Sequence, residues 1–237
     1  MDILLIGGLW LDESAWTDVE AELKALGHRP VAVALPGQTA GTAAAAGDAT
    51  APTTAVTLAD QVAAVLAALD AAEGEALVVG HSAACSLAWL AADARPGRVA
   101  KVALIGGFPS ADGDTYADFF AVDDGVMAFP GWEPFAGPDS DDLDDAARRA
   151  FEARAIAVPE GVAKGVVRLA DERRYEVPVL LVCPEFSPDQ AREWVAAGEI
   201  PELAKAKHVE YADIDSGHWP MFTRPAALAR LLADAAA

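Results

Sequence analysis

The chain has 237 residues, 53% of them hydrophobic, with 37 acidic against 17 basic side chains and a formal charge of −20. That length and apolar content describe a globular domain with one well-buried core and exclude a disordered chain. The acidic excess, with no Lys/Arg-rich run to offset it, excludes nucleic acid and anionic membrane surfaces as natural partners.

Met1-Asp2 leads straight into the apolar run Ile3–Ile6. No basic-then-apolar leader and no stretch of membrane-spanning length is present, so a cytoplasmic location is expected. Ser14–Leu26 has the pattern of a helix stopped by Gly27, and Val31–Leu35 reads as the second strand. Gln38–Thr57, rich in Ala, Thr and Gly, reads as a loop before a helix over Leu58–Ala71. Leu77–Val79, Val102–Ile105, Val179–Val182 and Val209–Ile214 are further strands, near-continuous in apolar residues as strands covered on both faces must be. Helices are expected over Ala83–Ala94, Pro188–Ala196 and Pro225–Ala236, the last two opening on Pro. This alternation predicts an α/β fold with a doubly wound, mostly parallel sheet.

Phe108–Glu176 interrupts the alternation and is too long for a plain connection. It carries Tyr116, Phe119, Phe120, Met127, Phe129, Trp132 and Phe135, with a helical pattern around Leu143–Ala155. We read residues 108–176 as an inserted cap over a core formed by 1–107 and 177–237. Cys85 and Cys183 are too few for a disulfide scaffold and are expected to be buried free thiols.

The strongest chemical signal is Leu77-Val78-Val79-Gly80-His81-Ser82-Ala83-Ala84-Cys85. A strand runs into a turn of small residues with Ser82 at its tip, and a helix follows, which is the context of a nucleophile elbow. Ala84 stands where the motif usually has Gly. A Ser hydroxyl needs a base, and only His28, His81, His208 and His218 are available. His28 reads as a surface residue and His81 as structural, while His208 precedes the last strand. His218 follows that strand in Asp215-Ser216-Gly217-His218-Trp219-Pro220, at the sheet end where a base can meet Ser82, and the chain order fits.

Taken together, Gly7-Gly8-Leu9-Trp10, Ser14-Ala15-Trp16, Gly27-His28, Ala34-Leu35-Pro36-Gly37, Gly80-His81-Ser82, Ile105-Gly106-Gly107-Phe108-Pro109, Asp189–Trp194 and Gly217-His218 make the chain resemble the α/β-hydrolases over essentially its whole length. The resemblance is to the branch of small-molecule esterases and hydroxynitrile lyases. It implies an oxyanion hole built from the backbone N–H groups of Ala83 and Leu9, although the His-Gly usual in that loop is Gly7-Gly8 here. It also implies a carboxylate after the penultimate strand to orient the base. A gapless comparison puts Ser187 there, which cannot serve. Glu185 leads as the acid, with Asp189 and Asp112 as alternatives and Asp215 as a loop brace.

The resulting expectation is a serine hydrolase acting on a small ester through an acyl-enzyme on Ser82, with no metal or organic cofactor. Trp10, Phe108, Trp132 and Trp219, with Trp16, are expected to make an apolar substrate pocket. A hydroxynitrile lyase would call for a lysine beside the acid, and Glu185-Phe186-Ser187 offers none. Dehalogenase and epoxide hydrolase chemistry would need Asp at position 82. The alternative from another class is a small-molecule binding protein with slow or no turnover. A homodimer stays open.

Overall fold

A computed structural model describes residues 1–38 and 55–237, so most of the loop read at Gln38–Thr57 lies outside the described residues. In chain order the strands are β1 (Asp2–Ile6), β2 (Arg29–Ala32), β3 (Ala76–His81), β4 (Val99–Ile105), β5 (Val126–Met127), β6 (Val158–Pro159), β7 (Val179–Cys183) and β8 (Val209–Asp213). The helices are α1 (Thr17–Ala25), α2 (Leu58–Asp70), α3 (Cys85–Ala94), α4 (Asp145–Glu152), α5 (Glu160–Ala163), α6 (Pro188–Ala196), α7 (Pro201–Lys205), α8 (Pro220–Thr223) and α9 (Pro225–Ala235).

Six strands pair in the order β2-β1-β3-β4-β7-β8, every neighbouring pair parallel. The apolar runs explain the middle of the sheet. Ile3, Leu4, Leu5 and Ile6 are at most 1% exposed, and each such side chain contributes about 1.5–3 kcal/mol through burial. The second strand lies earlier than its pattern predicts, at Arg29–Ala32, with Val33 adding one more bond to Leu5 O. It includes Pro30, which an edge strand tolerates because one side of its ladder is unpaired. α1 packs on α9 and α2 on α3, flanking the sheet.

Chain order reverses direction between β1 and β3: β1 connects outward to β2, and β3 leads the other way to β4, β7 and β8. Their carboxyl ends therefore leave the sheet side by side, with Ile6 paired to Gly80. In open α/β sheets this switch point is where a crevice forms.

The segment 108–176 carries its own antiparallel pair, β5 with β6, together with α4 and α5. α4 is shorter than the helix expected over Leu143–Ala155. The aromatic residues of this segment stack together and onto the core. Phe129 meets Phe135 and Phe151, and Trp10 contacts Phe120, Phe129 and Phe135 at ring-centroid distances of 5.3–5.9 Å. Both cysteines are buried free thiols. Among the described residues no helix is long and apolar enough to cross a membrane.

Behind the sheet, a buried charge cluster fixes α3. Arg174 donates to Glu202 at 2.8 Å and to Asp93 at 3.1 Å, and Trp89 Nε1 donates to Glu202 at 2.9 Å. Asp93 also accepts backbone N–H bonds from Ala170 and Asp171. Every member is paired, which is the condition for burying charge without a large penalty.

Candidate active site

The turn after β3 is forced by close backbone approach. A Cβ on Gly80 would lie 2.7 Å from the carbonyl carbon of Ala84 and 2.8 Å from Cα of Cys85. A Cβ on Gly107 would lie 2.6 Å from the carbonyl oxygen of Ser82. Only glycine leaves room there, so β3 can enter α3 through a single tight turn. Ser82 at its tip takes the left-handed region at φ 55°, which costs a non-glycine residue on the order of 1–3 kcal/mol and marks functional sites. Position 84, where Ala replaces the usual Gly, is fully buried and tolerated.

Ser82 and His218 line one cavity of about 190 Å³, together with Leu9, Trp10, Phe119, Phe120, Phe135 and Trp219. His218 Nδ1 is 2.9 Å from Glu185 Oε1, both side chains being mostly buried. The two expected alternatives stand elsewhere. Asp189 is exposed in the first turn of α6 and pairs with Arg192 at 2.6 Å. Asp112 is exposed and accepts the N–H of Leu169 at 2.9 Å. Ser187 is the N-cap of α6, accepting from Gln190 N–H at 3.2 Å in a capping box. That explains why a small polar residue, not an acid, occupies this position.

His218 is pinned from both sides. Its N–H donates to Asp139 O at 2.8 Å, and its carbonyl accepts from His81 Nε2–H at 2.8 Å. With Nε2 donating, His81 Nδ1 is the unprotonated nitrogen, and it is buried without a partner. Burial, aided by His218 nearby, pushes His81 down to about 3, so its ring is neutral. Asp142 Oδ2 accepts Gly217 N–H at 2.8 Å, a second tie from the inserted segment to the base loop. Burial and the nearby charge of Glu185 hold the Asp139 carboxyl above its usual range, with His218 acting the other way. Directly under the turn, the Cys85 thiol donates to Gly80 O at 3.3 Å, and burial pushes its pKa up, so it is a packing group.

The loop after β1 is braced from beneath. Gln38 Nε2 donates to Gly8 O at 3.0 Å and Leu11 O at 3.3 Å, while Gln61 donates to Gln38 Oε1 at 2.9 Å. Trp10, at φ 65°, donates from its indole to Met127 O and accepts from Ile156 N–H, joining this loop to the inserted segment. Leu9 lines the same cavity as Ser82. Ala83 is among the first residues of the helical turn, whose leading N–H groups have no acceptor within the helix.

The pocket expectation needs correction at two residues. Trp132 does not line the cavity; it stands behind it, edge-on to Trp219 at 5.3 Å and Phe151 at 5.2 Å. Trp16 is fully buried in the core. Phe108, as expected, lines a cavity that contains Ser82, though a second one without His218 among its lining residues. The braces Gln38, Gln61, Asp139 and Asp142 were not anticipated, and nothing in the local pattern marks them, since each acts on a residue more than 20 positions away. Among the described residues no group of three His, Cys, Asp or Glu side chains is placed to hold a metal ion.

The alpha/beta hydrolase family model matches residues 3–231. No curated protein matches the sequence. Among solved structures, an extracellular α/β-hydrolase from a Paenibacillus species superposes with a TM-score of 0.73 at 17% identity, covering 99% of this chain and 98% of that one. It is described as sharing structural and functional homology with Tobacco Salicylic Acid Binding Protein 2. A methylesterase from Arabidopsis gives 0.74 at 13% identity, covering 100% and 98%. A pyrethroid hydrolase from Sphingobium faniae gives 0.67 at 21% identity, covering 99% and 96%. At these identities the likeness establishes the fold.

Proposed function

The chain belongs to the alpha/beta hydrolase family, and from that premise we propose that it is a serine hydrolase cleaving small carboxylic esters. The observation that carries the reading is the meeting of Ser82 and His218 in one cavity, with Glu185 2.9 Å from the far nitrogen of the imidazole. A serine on a strained turn, a histidine and a buried carboxylate form the set that makes a hydroxyl nucleophilic. Esterase and hydrolase neighbours of the same fold support the reading.

In this mechanism His218 Nε2 takes the Ser82 hydroxyl proton as Oγ bonds to the ester carbonyl carbon. The carbonyl π pair moves onto oxygen, and the N–H groups of Leu9 and Ala83 donate to that oxyanion. Collapse re-forms the carbonyl and expels the alcohol oxygen, which leaves with the proton from His218. Water then attacks the acyl-enzyme, giving its proton to His218, and the second collapse returns that proton to Ser82 Oγ and frees the acid. Glu185 holds the Nδ1–H and offsets the charge on the imidazolium throughout.

The test is a burst assay with p-nitrophenyl acetate and butyrate, set beside Ser82→Ala. A burst in the native protein alone is expected, as is fluorophosphonate labelling of Ser82 that is lost in His218→Ala. Equal rates for the native protein and Ser82→Ala would sink the hydrolase reading and leave a small-molecule receptor on a hydrolase fold.

A further inference from the structure

Ser82 stands at the junction of two cavities. The first, of about 190 Å³, contains His218 and is walled by Trp10, Phe120, Phe135 and Trp219. The second, of about 320 Å³, is lined by Ala83, Gly106, Gly107, Phe108, Ser110 and Tyr116. Phe119 belongs to both walls and is 64% exposed, unlike the other aromatics here.

Resting on the ester-hydrolase reading, we infer that the two cavities divide an ester at its carbonyl. The single-ring alcohol portion occupies the aromatic cavity, a longer acyl chain occupies the second, and Phe119 is the partition that sets this orientation. The assignment of sides follows from proton transfer. The leaving alkoxide must collect its proton from His218, and His218 lines only the aromatic cavity. With the alcohol on that side and the carbonyl oxygen turned to the N–H groups of Leu9 and Ala83, the acyl carbon chain is left to run past Ala83.

The sizes name the substrate class. An apolar cavity of about 150 Å³ holds a benzene ring, so about 190 Å³ accommodates a single ring. Its aromatic walls offer the edge and face contacts that an aromatic guest prefers. The larger second cavity has room for a flexible chain. The expected substrates are therefore aryl or benzyl esters of medium-chain acids, in preference to alkyl esters of aromatic acids.

Two isomeric esters separate these orientations, because benzyl hexanoate and hexyl benzoate contain the same atoms. The native protein is expected to hydrolyse benzyl hexanoate with a kcat/KM at least about tenfold higher, a discrimination that one well-fitted ring supplies. Phe119→Ala, which joins the cavities, is expected to bring the ratio towards one, and Phe119→Leu to keep most of it. Equal or reversed preference, with both activities abolished by Ser82→Ala, would overturn the division while leaving the ester-hydrolase reading intact. An unchanged ratio in Phe119→Ala would overturn the partition. Hydrolysis of neither ester while p-nitrophenyl acetate is still turned over would overturn this inference alone, and loss of p-nitrophenyl acetate turnover as well would remove the ester-hydrolase reading with it.

Discussion

His81 donates from Nε2 to the carbonyl of His218 across 2.8 Å, so the residue before the serine holds the backbone of the histidine that faces it. The two rings lie 4.9 Å apart. The same bond joins the end of β3 to the loop after β8 and brings residues from sequence positions far apart into one cavity.

Burial of this ring, more than the bond it makes, renders stability sensitive to acid. His81 has an ordinary value of 6.5 when unfolded and about 3 when folded, so the unfolded chain binds the extra proton between those values. The stability gained from keeping the ring neutral is complete above pH 6.5 and is lost as pH falls towards 3. Thermal melts of the native protein should fall more steeply from about pH 7 to about pH 4.5 than those of His81→Asn, which has no titrating ring. Parallel pH dependences would refute this.

Glu185 is expected to be the orienting acid. Glu185→Gln should lower kcat by about 10²–10⁴ with little change in melting temperature, as loss of a tautomer-fixing carboxylate does. Asp189→Asn, on the exposed first turn of α6, should leave kcat within about twofold of the native value. Steady-state kinetics on one ester decide between them, and a reversed pattern would move the role to Asp189.

The base loop depends on the inserted segment. Asp142→Ala removes the acceptor of Gly217 N–H and should slow fluorophosphonate labelling of Ser82 by about tenfold, roughly the effect of one lost hydrogen bond to a charged group. Asp142→Asn keeps an acceptor and should recover most of that rate. Equal loss in both would mean that charge, not the bond, matters.

At the nucleophile turn the constraint is steric. Gly80→Ala would drive a methyl group into the Ala84–Cys85 backbone and should cost about 1–3 kcal/mol or prevent folding. Gly97→Ala, where nothing lies within 4 Å, is the control and should melt near the native protein. Urea denaturation compares the two.

The buried charge cluster is a separate stability element. Burial alone would raise the Glu202 carboxyl, but hydrogen bonds from Arg174 and Trp89 outweigh it and hold it below the usual range. Arg174→Met leaves Glu202 and Asp93 without their counter-charge and should cost about 3–5 kcal/mol. Activity per folded molecule should stay unchanged, because the cluster lies outside both cavities at Ser82.

What the sequence determined by itself is local or periodic. Continuous apolar runs specify parallel strands, and the strand–turn–helix around Ser82 is marked by Gly80 and Ala84, the small residues two positions to either side. Pro188 and Ser187 fix the start of α6 through a cap three residues long. The order of Ser82 before His218, each just after a strand, already put both at the carboxyl end of the sheet. Tertiary structure alone decided which carboxylate meets His218. Glu185 led Asp189 and Asp112 only as the carboxylate nearest the strand end, and loop paths are what separate a partner at 2.9 Å from two exposed side chains. It also decided that Trp132 supports a wall while Phe119 borders both cavities at Ser82. Those outcomes come from long-range packing of an aperiodic segment, in which an aromatic residue carries no local mark of the neighbour it will meet.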